Sequence, residues 1–131
     1  MKSLVIKGAE FSPQITFNPK LPKFIISGES RPEDAGKLYG LVLNWLEAYL
    51  LERKQTATKK NPGIRFEFNL VYFNTVSAKY ILEMLRLLHL SYSEGGDIKI
   101  IWYFKAKDED MKESGEEFAK LVTIPFEFIQ Q

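Results

Sequence analysis

Apolar positions in this chain come in two rhythms. Up to about residue 30 they form short runs of strand length; beyond it, helical stripes alternate with apolar segments of strand length. Leu4–Ile6 predicts a short first strand. Gln14–Phe17 and Phe24–Ser27 are two further apolar runs. Asn18, Pro19 and Pro22 punctuate the turn between them, so the pair reads as a hairpin or meander that Gly28 ends. Ser30, Pro32, Glu33 and Asp34 then predict a helix start: a capping residue, an early proline and acid in the first turn. Leu38, Leu41, Val42, Trp45 and Tyr49 recur at helical spacing on one face, and this helix is expected to run to about Arg53.

The richest stretch is Phe66–Leu88. Ile64–Phe73 predicts a central strand, and its continuous apolar end, Leu70 to Phe73, suits a position covered on both sides. Periodicity changes at Asn74-Thr75, where an amphipathic helix begins that ends before Gly95-Gly96. Ala78, Ile81, Leu82, Leu85 and Leu88 form its core stripe. Val76, Tyr80, Met84 and Leu87 form a second stripe on a different side, with Lys79, Glu83 and Arg86 between them. Two readings stay open for that second stripe: packing on a neighbouring helix, or an exposed docking face for a protein partner. Methionine and tyrosine suit a docking surface.

Ile98–Phe104 reads as another buried strand. An acidic segment opens a third helix, with Met111, Phe118, Leu121 and Val122 available for packing, and Phe126–Ile129 alternates as a closing strand. The order β-β-β-α-β-α-β-α-β predicts an α/β fold, with one mixed β-sheet and about three helices packed against it. No repeat or second domain is visible, so residues 1–131 read as a single domain.

Composition narrows the function. At 131 residues the chain fits one domain with one core. It has no cysteine, hence no disulfide framework and no thiolate metal site. A formal net charge of +1 provides no global field toward nucleic acid or acidic lipid. Charge is nonetheless uneven: Arg53–Lys60 is basic and Asp108–Glu117 mostly acidic. The two read as a solvated linker and a solvated helix start. The basic run lacks the interleaved aromatics of a single-strand-binding groove. The first apolar run, broken by Lys7, is too short for a signal peptide, and no run approaches the roughly 18 apolar residues of a membrane span. The protein is expected to be cytoplasmic.

Catalytic signatures are missing. There is neither a P-loop nor a dinucleotide fingerprint. His89 is the single histidine, with no second histidine or cysteine to complete a metal site, so it reads as a packing or helix-flank residue. The acidic segment lacks the glycine of a calcium loop at the sixth position from Asp108, and no serine stands in a nucleophile elbow. The expected protein is not an enzyme and needs no cofactor or metal. Thr75 is the exception that draws attention. A hydroxyl at a helix N-terminus lies where free N–H groups and the helix dipole favour an anion. A phosphate attached to Thr75 would sit in a site suited to it. An ordinary N-cap, worth about 1 kcal/mol, is the other reading of the same residue.

A series of landmarks runs along the chain: Gly28-Glu29-Ser30-Arg31-Pro32-Glu33, then Trp45 with Tyr49-Leu50, then Tyr72-Phe73-Asn74-Thr75-Val76-Ser77-Ala78-Lys79. Trp102-Tyr103-Phe104, Asp108 through Glu117, and Pro125-Phe126 follow. In these the chain resembles the SiaC family of bacterial regulatory phosphoproteins, and the specificity lies in their combination and order. The family has Asn-Thr-Ser-Ser at the strand–helix junction, and here Val76 replaces the first serine while Thr75 and Ser77 remain. The resemblance implies a fold like the sulfate-transporter and anti-sigma-factor-antagonist (STAS) domains. It also implies a non-enzymatic switch in which a protein kinase phosphorylates Thr75, a PP2C-like phosphatase reverses this, and the unphosphorylated form activates a diguanylate cyclase in cyclic-di-GMP signalling. Asn74 and Ser77 flank that switch. Two other functions fit the same fold: an anti-sigma-factor-antagonist adaptor with another partner, and a small-molecule or nucleotide sensor that has no need of the hydroxyl.

Overall fold

The computed structural model describes residues 1–56 and 61–131. Strands β1 (Leu4–Ile6), β2 (Gln14–Asn18) and β3 (Lys23–Ser30) come first, followed by helix α1 (Ala35–Gln55). Then β4 (Ile64–Phe73), α2 (Thr75–Ser93), β5 (Ile98–Phe104), α3 (Glu109–Ala119) and β6 (Phe126–Gln130) alternate. This is the expected element order. The strands form one sheet in sequence order, antiparallel from β1 to β3 and parallel from β3 to β6. Each parallel connection contains one helix. Right-handed crossovers that all step the same way across the sheet place α1, α2 and α3 on one face.

The burial pattern follows from that one-sided cover. Cross-strand rows Phe17–Phe24–Phe66–Ile100–Phe126 and Ile15–Ile26–Phe68–Trp102–Phe128 share the helix-covered face. The Phe17, Phe24 and Phe66 ring centroids lie 5.1, 5.3 and 5.9 Å apart, in the range where tilted and edge-on aromatic pairs attract. On the opposite face the central row is Thr16–Ile25–Glu67–Ile101–Glu127. Glu67 is only 4% exposed there. Tyr103 Oη donates to it at 2.7 Å and Arg65 Nε at 2.8 Å, with Lys23 Nζ 3.6 Å away. Burial pushes this carboxyl up, but the hydrogen bonds from Tyr103 and Arg65, with the charges of Lys23 and Arg65, outweigh it and hold its pKa below the usual value.

Several expectations need correction. β3 does not end at Gly28, which takes a positive φ of 95° and lets the strand continue to Ser30. The register shifts there: Leu70 pairs with Gly28 and Tyr72 with Glu29, leaving Val71 as an extra residue on β4. The end of β4 is therefore not covered on both sides. Val71 and Tyr72 are exposed, while the bulge reverses the alternation and turns Phe73 back to the helix side, 6.1 Å from Trp102 and 6.0 Å from Phe118. Ser30 is the last residue of β3, and α1 is capped by Asp34, whose Oδ1 accepts from Lys37 N–H at 3.0 Å. The buried face of α1 is Ala35, Tyr39, Val42, Leu46 and Tyr49, and Leu41 is exposed. Apolar side chains surround much of this helix, so periodicity alone does not fix which face is inside. On α3, Met111 is buried and Phe118 half-buried, but Leu121 lies past the helix end and is exposed. Of the basic run, Arg53–Gln55 belongs to α1 and Thr56 caps it; residues 57–60 lie outside the described residues. No described helix is long and apolar enough to cross a membrane.

Candidate functional site at the β4–α2 junction

Parallel β3 and β4 end side by side, with Ser30 opposite Phe73. The chain leaves β4 through Asn74, whose extended backbone (φ −86°, ψ 177°) is the N-cap of α2. Asn74 Oδ1 accepts from Ser77 N–H at 2.9 Å, and Asn74 C=O accepts from Ala78 N–H at 2.9 Å. Asn74 N–H in turn donates to the Ser30 carbonyl at 3.0 Å. The cap is Asn74 and not Thr75. Thr75 is the first helical residue, exposed, and capping of the turn does not use its hydroxyl. The first turn of α2 contains no acidic residue, so the dipole at this N-terminus meets no charge from its own turn.

Ser77 has the opposite environment. It is fully buried, as are Ser30 and Tyr39. Ser77 Oγ donates to the Ser30 carbonyl at 2.9 Å, so the 2.8 Å contact between the two hydroxyls must have Ser30 as donor. Ser30 Oγ lies 2.5 Å from Tyr39 Oη. With its own proton committed, Ser30 accepts there and Tyr39 donates. The result is one directed chain: Tyr39 hydroxyl to Ser30 hydroxyl to Ser77 hydroxyl to Ser30 carbonyl. Burial raises the Tyr39 pKa, partly offset by the Ser30 hydroxyl it bonds and the Ser77 hydroxyl beyond it. Such chains polarise cumulatively, and here every buried side-chain polar atom among the described residues has a partner. The Tyr39 ring also stacks on Tyr80 of α2, at 5.2 Å and 13°. Ser30 and Tyr39 were missed from the sequence, where Ser30 looked like a helix cap and Tyr39 lay off the assigned stripe. A serine four residues ahead of the Asp34 cap, still in strand register with Phe24 and Ile26, was the available signal.

The second stripe of α2 does not form one surface. Val76 is exposed beside Thr75, and Val71 and Tyr72 are exposed at the bulged end of β4. Tyr80 is half-buried against Tyr39, and Met84 is 0% exposed, so Met84 offers nothing to a partner. Its burial follows from α1 packing against this side of α2. Leu87 is half-buried and lines a groove of about 520 Å³ between the C-terminal halves of α1 and α2, with Leu50, Leu51 and Leu90. That groove begins about 18 Å along the helix from Thr75. His89 is a helix-flank residue whose Nδ1 lies 3.4 Å from Thr123 N. Among the described residues, no group of three or more His, Asp or Glu is placed to hold a metal ion.

One-sided helical cover of a mixed sheet, with a hydroxyl presented where a parallel strand turns into a helix, defines a STAS-like α/β domain. The chain belongs to the SiaC family of regulatory phosphoproteins, whose family model matches residues 6–131. It is similar to SiaC of Pseudomonas aeruginosa in the crystal structure of the diguanylate cyclase SiaD in complex with its activator SiaC. That match has a TM-score of 0.87 and 26% identity, covering 98% of this chain and 99% of the other. It is similar to the crystal structure of apo-SiaC from the same organism, with a TM-score of 0.84 and 27% identity over 98% of this chain and 99% of the other. An uncharacterized protein of Pseudomonas aeruginosa strain UCBPP-PA14 is 27% identical over 96% of this chain and 94% of its own length.

Proposed function

We propose that this protein is a non-enzymatic phospho-switch whose acceptor is Thr75, and that its unphosphorylated form binds and activates a diguanylate cyclase. The observation that carries the reading is the division of labour at the junction. Asn74 supplies the cap, so the exposed Thr75 hydroxyl can be modified without uncapping the helix. A protein kinase and a PP2C-like phosphatase would set its state. The similarity to SiaC, the activator of the cyclase SiaD, supports a cyclase as partner. Val76 is the exposed apolar residue next to the acceptor, where a partner in contact would meet the phosphate, and Val71 and Tyr72 are exposed on the preceding strand end. Asn74 and Ser77 hold that junction in place, whereas Met84 takes no part.

Phosphate adds about −1.5 to −2 charges and three acceptor oxygens. In a desolvated apolar interface such a group repels the partner. A loss of about 3–4 kcal/mol weakens binding several hundredfold, enough for an on/off response. The experiment measures affinity for the SiaD-type cyclase of the same genome, and cyclic-di-GMP synthesis, for unmodified, phosphorylated and Thr75→Ala protein. Binding and activation should collapse only in the phosphorylated form. Equal affinity of all three would remove Thr75 from the switch.

A further inference from the structure

We infer that Ser30, Tyr39 and Ser77 are positioning residues for the modification of Thr75, and that the junction accepts a single phosphate. The inference rests on the reading of Thr75 as acceptor and concerns what makes it the one acceptor. Two serine or threonine hydroxyls remain in the first turn of α2, at Thr75 and Ser77, because Val76 supplies none. Thr75 is exposed and Ser77 is fully buried. The Ser77 proton is committed to the Ser30 carbonyl and its oxygen receives the Ser30 proton. In the transfer, an oxygen–phosphorus bond forms to the acceptor Oγ while the bond from the γ-phosphorus of ATP to its bridging oxygen breaks. ADP leaves, and the hydroxyl proton passes to a base on the kinase. Ser77 could enter that geometry only by unwinding the first turn of α2. That would strand the Ser30 hydroxyl and remove a donor from the Ser30 carbonyl in a dry site.

The same bonds place Thr75. Its preceding residue, Asn74, is held through its N–H to the Ser30 carbonyl, the atom on which the hydroxyl chain ends. Ser77 is fixed on the other side. Tyr39 brings α1 into the arrangement, since its hydroxyl starts the chain and its ring stacks on Tyr80 in the second turn of α2. A kinase that docks on the folded surface therefore meets the Thr75 backbone at one fixed position, from which the hydroxyl can reach it in few rotamers, and small misplacements of a reacting atom are expensive in rate.

The test has two parts. Phosphosites are mapped by mass spectrometry on protein isolated from cells that contain its kinase, and transfer from ATP is then timed with that purified kinase. Wild type should hold one phosphate, on Thr75. Ser77→Ala should still be modified there, with kcat lowered about tenfold and KM unchanged. Tyr39→Phe keeps the ring stack and should shift kcat the same way by a smaller factor. The double variant should lose no more than Ser77→Ala alone, because both act through one chain. A merely structural role, with the protein folded at the assay temperature, would leave kcat unmoved. Phosphate on Ser77 in wild type, or wild-type kcat in Tyr39→Phe and Ser77→Ala, overturns the inference while leaving the Thr75 reading intact. Absence of phosphate from both residues defeats that reading and this inference with it.

Discussion

The N-termini of α2 and α3 are built alike and charged differently. Each has a side-chain oxygen accepting from the N–H three residues on: Asn74 from Ser77 at 2.9 Å, Asp108 from Met111 at 3.0 Å. At α3 the cap is a carboxylate and the first turn adds Glu109 and Asp110; at α2 the cap is a neutral amide and the first turn has no acid. The α3 dipole is thus already answered by fixed charge, and the α2 dipole is not. A helix start meant only to be stable would be expected to look like α3. The one left unanswered is the one that presents Thr75, and there the proposed phosphate would bring the charge that α3 has permanently.

The largest effect breaks the α3 side of the comparison. Gly115 lies against the Trp102 indole so closely that an added Cβ would fall 2.5 Å from the ring. The ring cannot give way: it is wedged among Phe68, Phe73 and Phe118, and its Nε1 donates to the Met111 carbonyl at 2.9 Å. Gly115→Ala is expected to destabilise by about 2–3 kcal/mol, because overpacking outweighs the roughly 1 kcal/mol gained in helix propensity. Urea unfolding reads it. A neutral outcome would mean that α3 is held loosely, and that its charged start is no model for a fixed helix end.

Glu67 comes next, because its titration must be separated before acid can be used to probe helix-end charge. Its folded pKa lies below the usual carboxylate value. The stability it contributes is therefore fully present above the unfolded pKa and is lost as pH falls through the folded one. Glu67→Gln keeps the shape and removes the charge. It should cost about 1.5 kcal/mol near neutral pH, and the difference from wild type should shrink as the pH drops below the ordinary carboxylate range. A constant gap across that range would assign the pH dependence elsewhere.

Removing the caps tests the comparison directly. Asn74→Ala should cost about 1 kcal/mol, the worth of a lost N-cap. Asp108→Ala should cost more, by about 0.3–1 kcal/mol, since it loses a charge as well as a hydrogen bond. Equal losses at equal ionic strength would show that charge at these helix ends does little.

The sequence made the order of elements legible because each strand and helix has its own period, and β4 was read to the residue. What it hid arose from tertiary context. That all helices lie on one face follows from sheet order, which no local pattern shows, so Val71 and Tyr72 looked buried when they are exposed. The bulge opposite Gly28 changes which residues of β4 face inward, and one glycine in an apolar run does not announce that. Thr75 was found as a helix start, but its neighbour Asn74 holds the cap, since Asn and Thr are both good caps and only the backbone tells them apart. The hydroxyl chain joins Ser30, Tyr39 and Ser77 across up to 47 positions, a distance at which sequence spacing says nothing.

The smallest effect on stability bears most on the switch. Phosphate on Thr75 should stabilise α2 by about 0.3–1 kcal/mol at low ionic strength, and salt should erase the gain as screening shortens to a few ångströms. Thermal melts of unmodified and phosphorylated protein, at low and high salt, measure it. A lower melting temperature on phosphorylation would mean that the first turn unwinds, and the switch would then be a local unfolding. A small, salt-sensitive rise would leave the folded state intact and put the response in the partner interface. Asn74→Asp separates the two properties of the phosphate, because it adds charge within the existing cap without adding bulk at the exposed position. It should raise the melt by a similar small amount and leave cyclase affinity largely in place, since the bulk and the second charge on Thr75 are missing. If Asn74→Asp alone abolished binding, helix-end charge would be the whole signal, and the neutral start of α2 would be the feature that the partner reads.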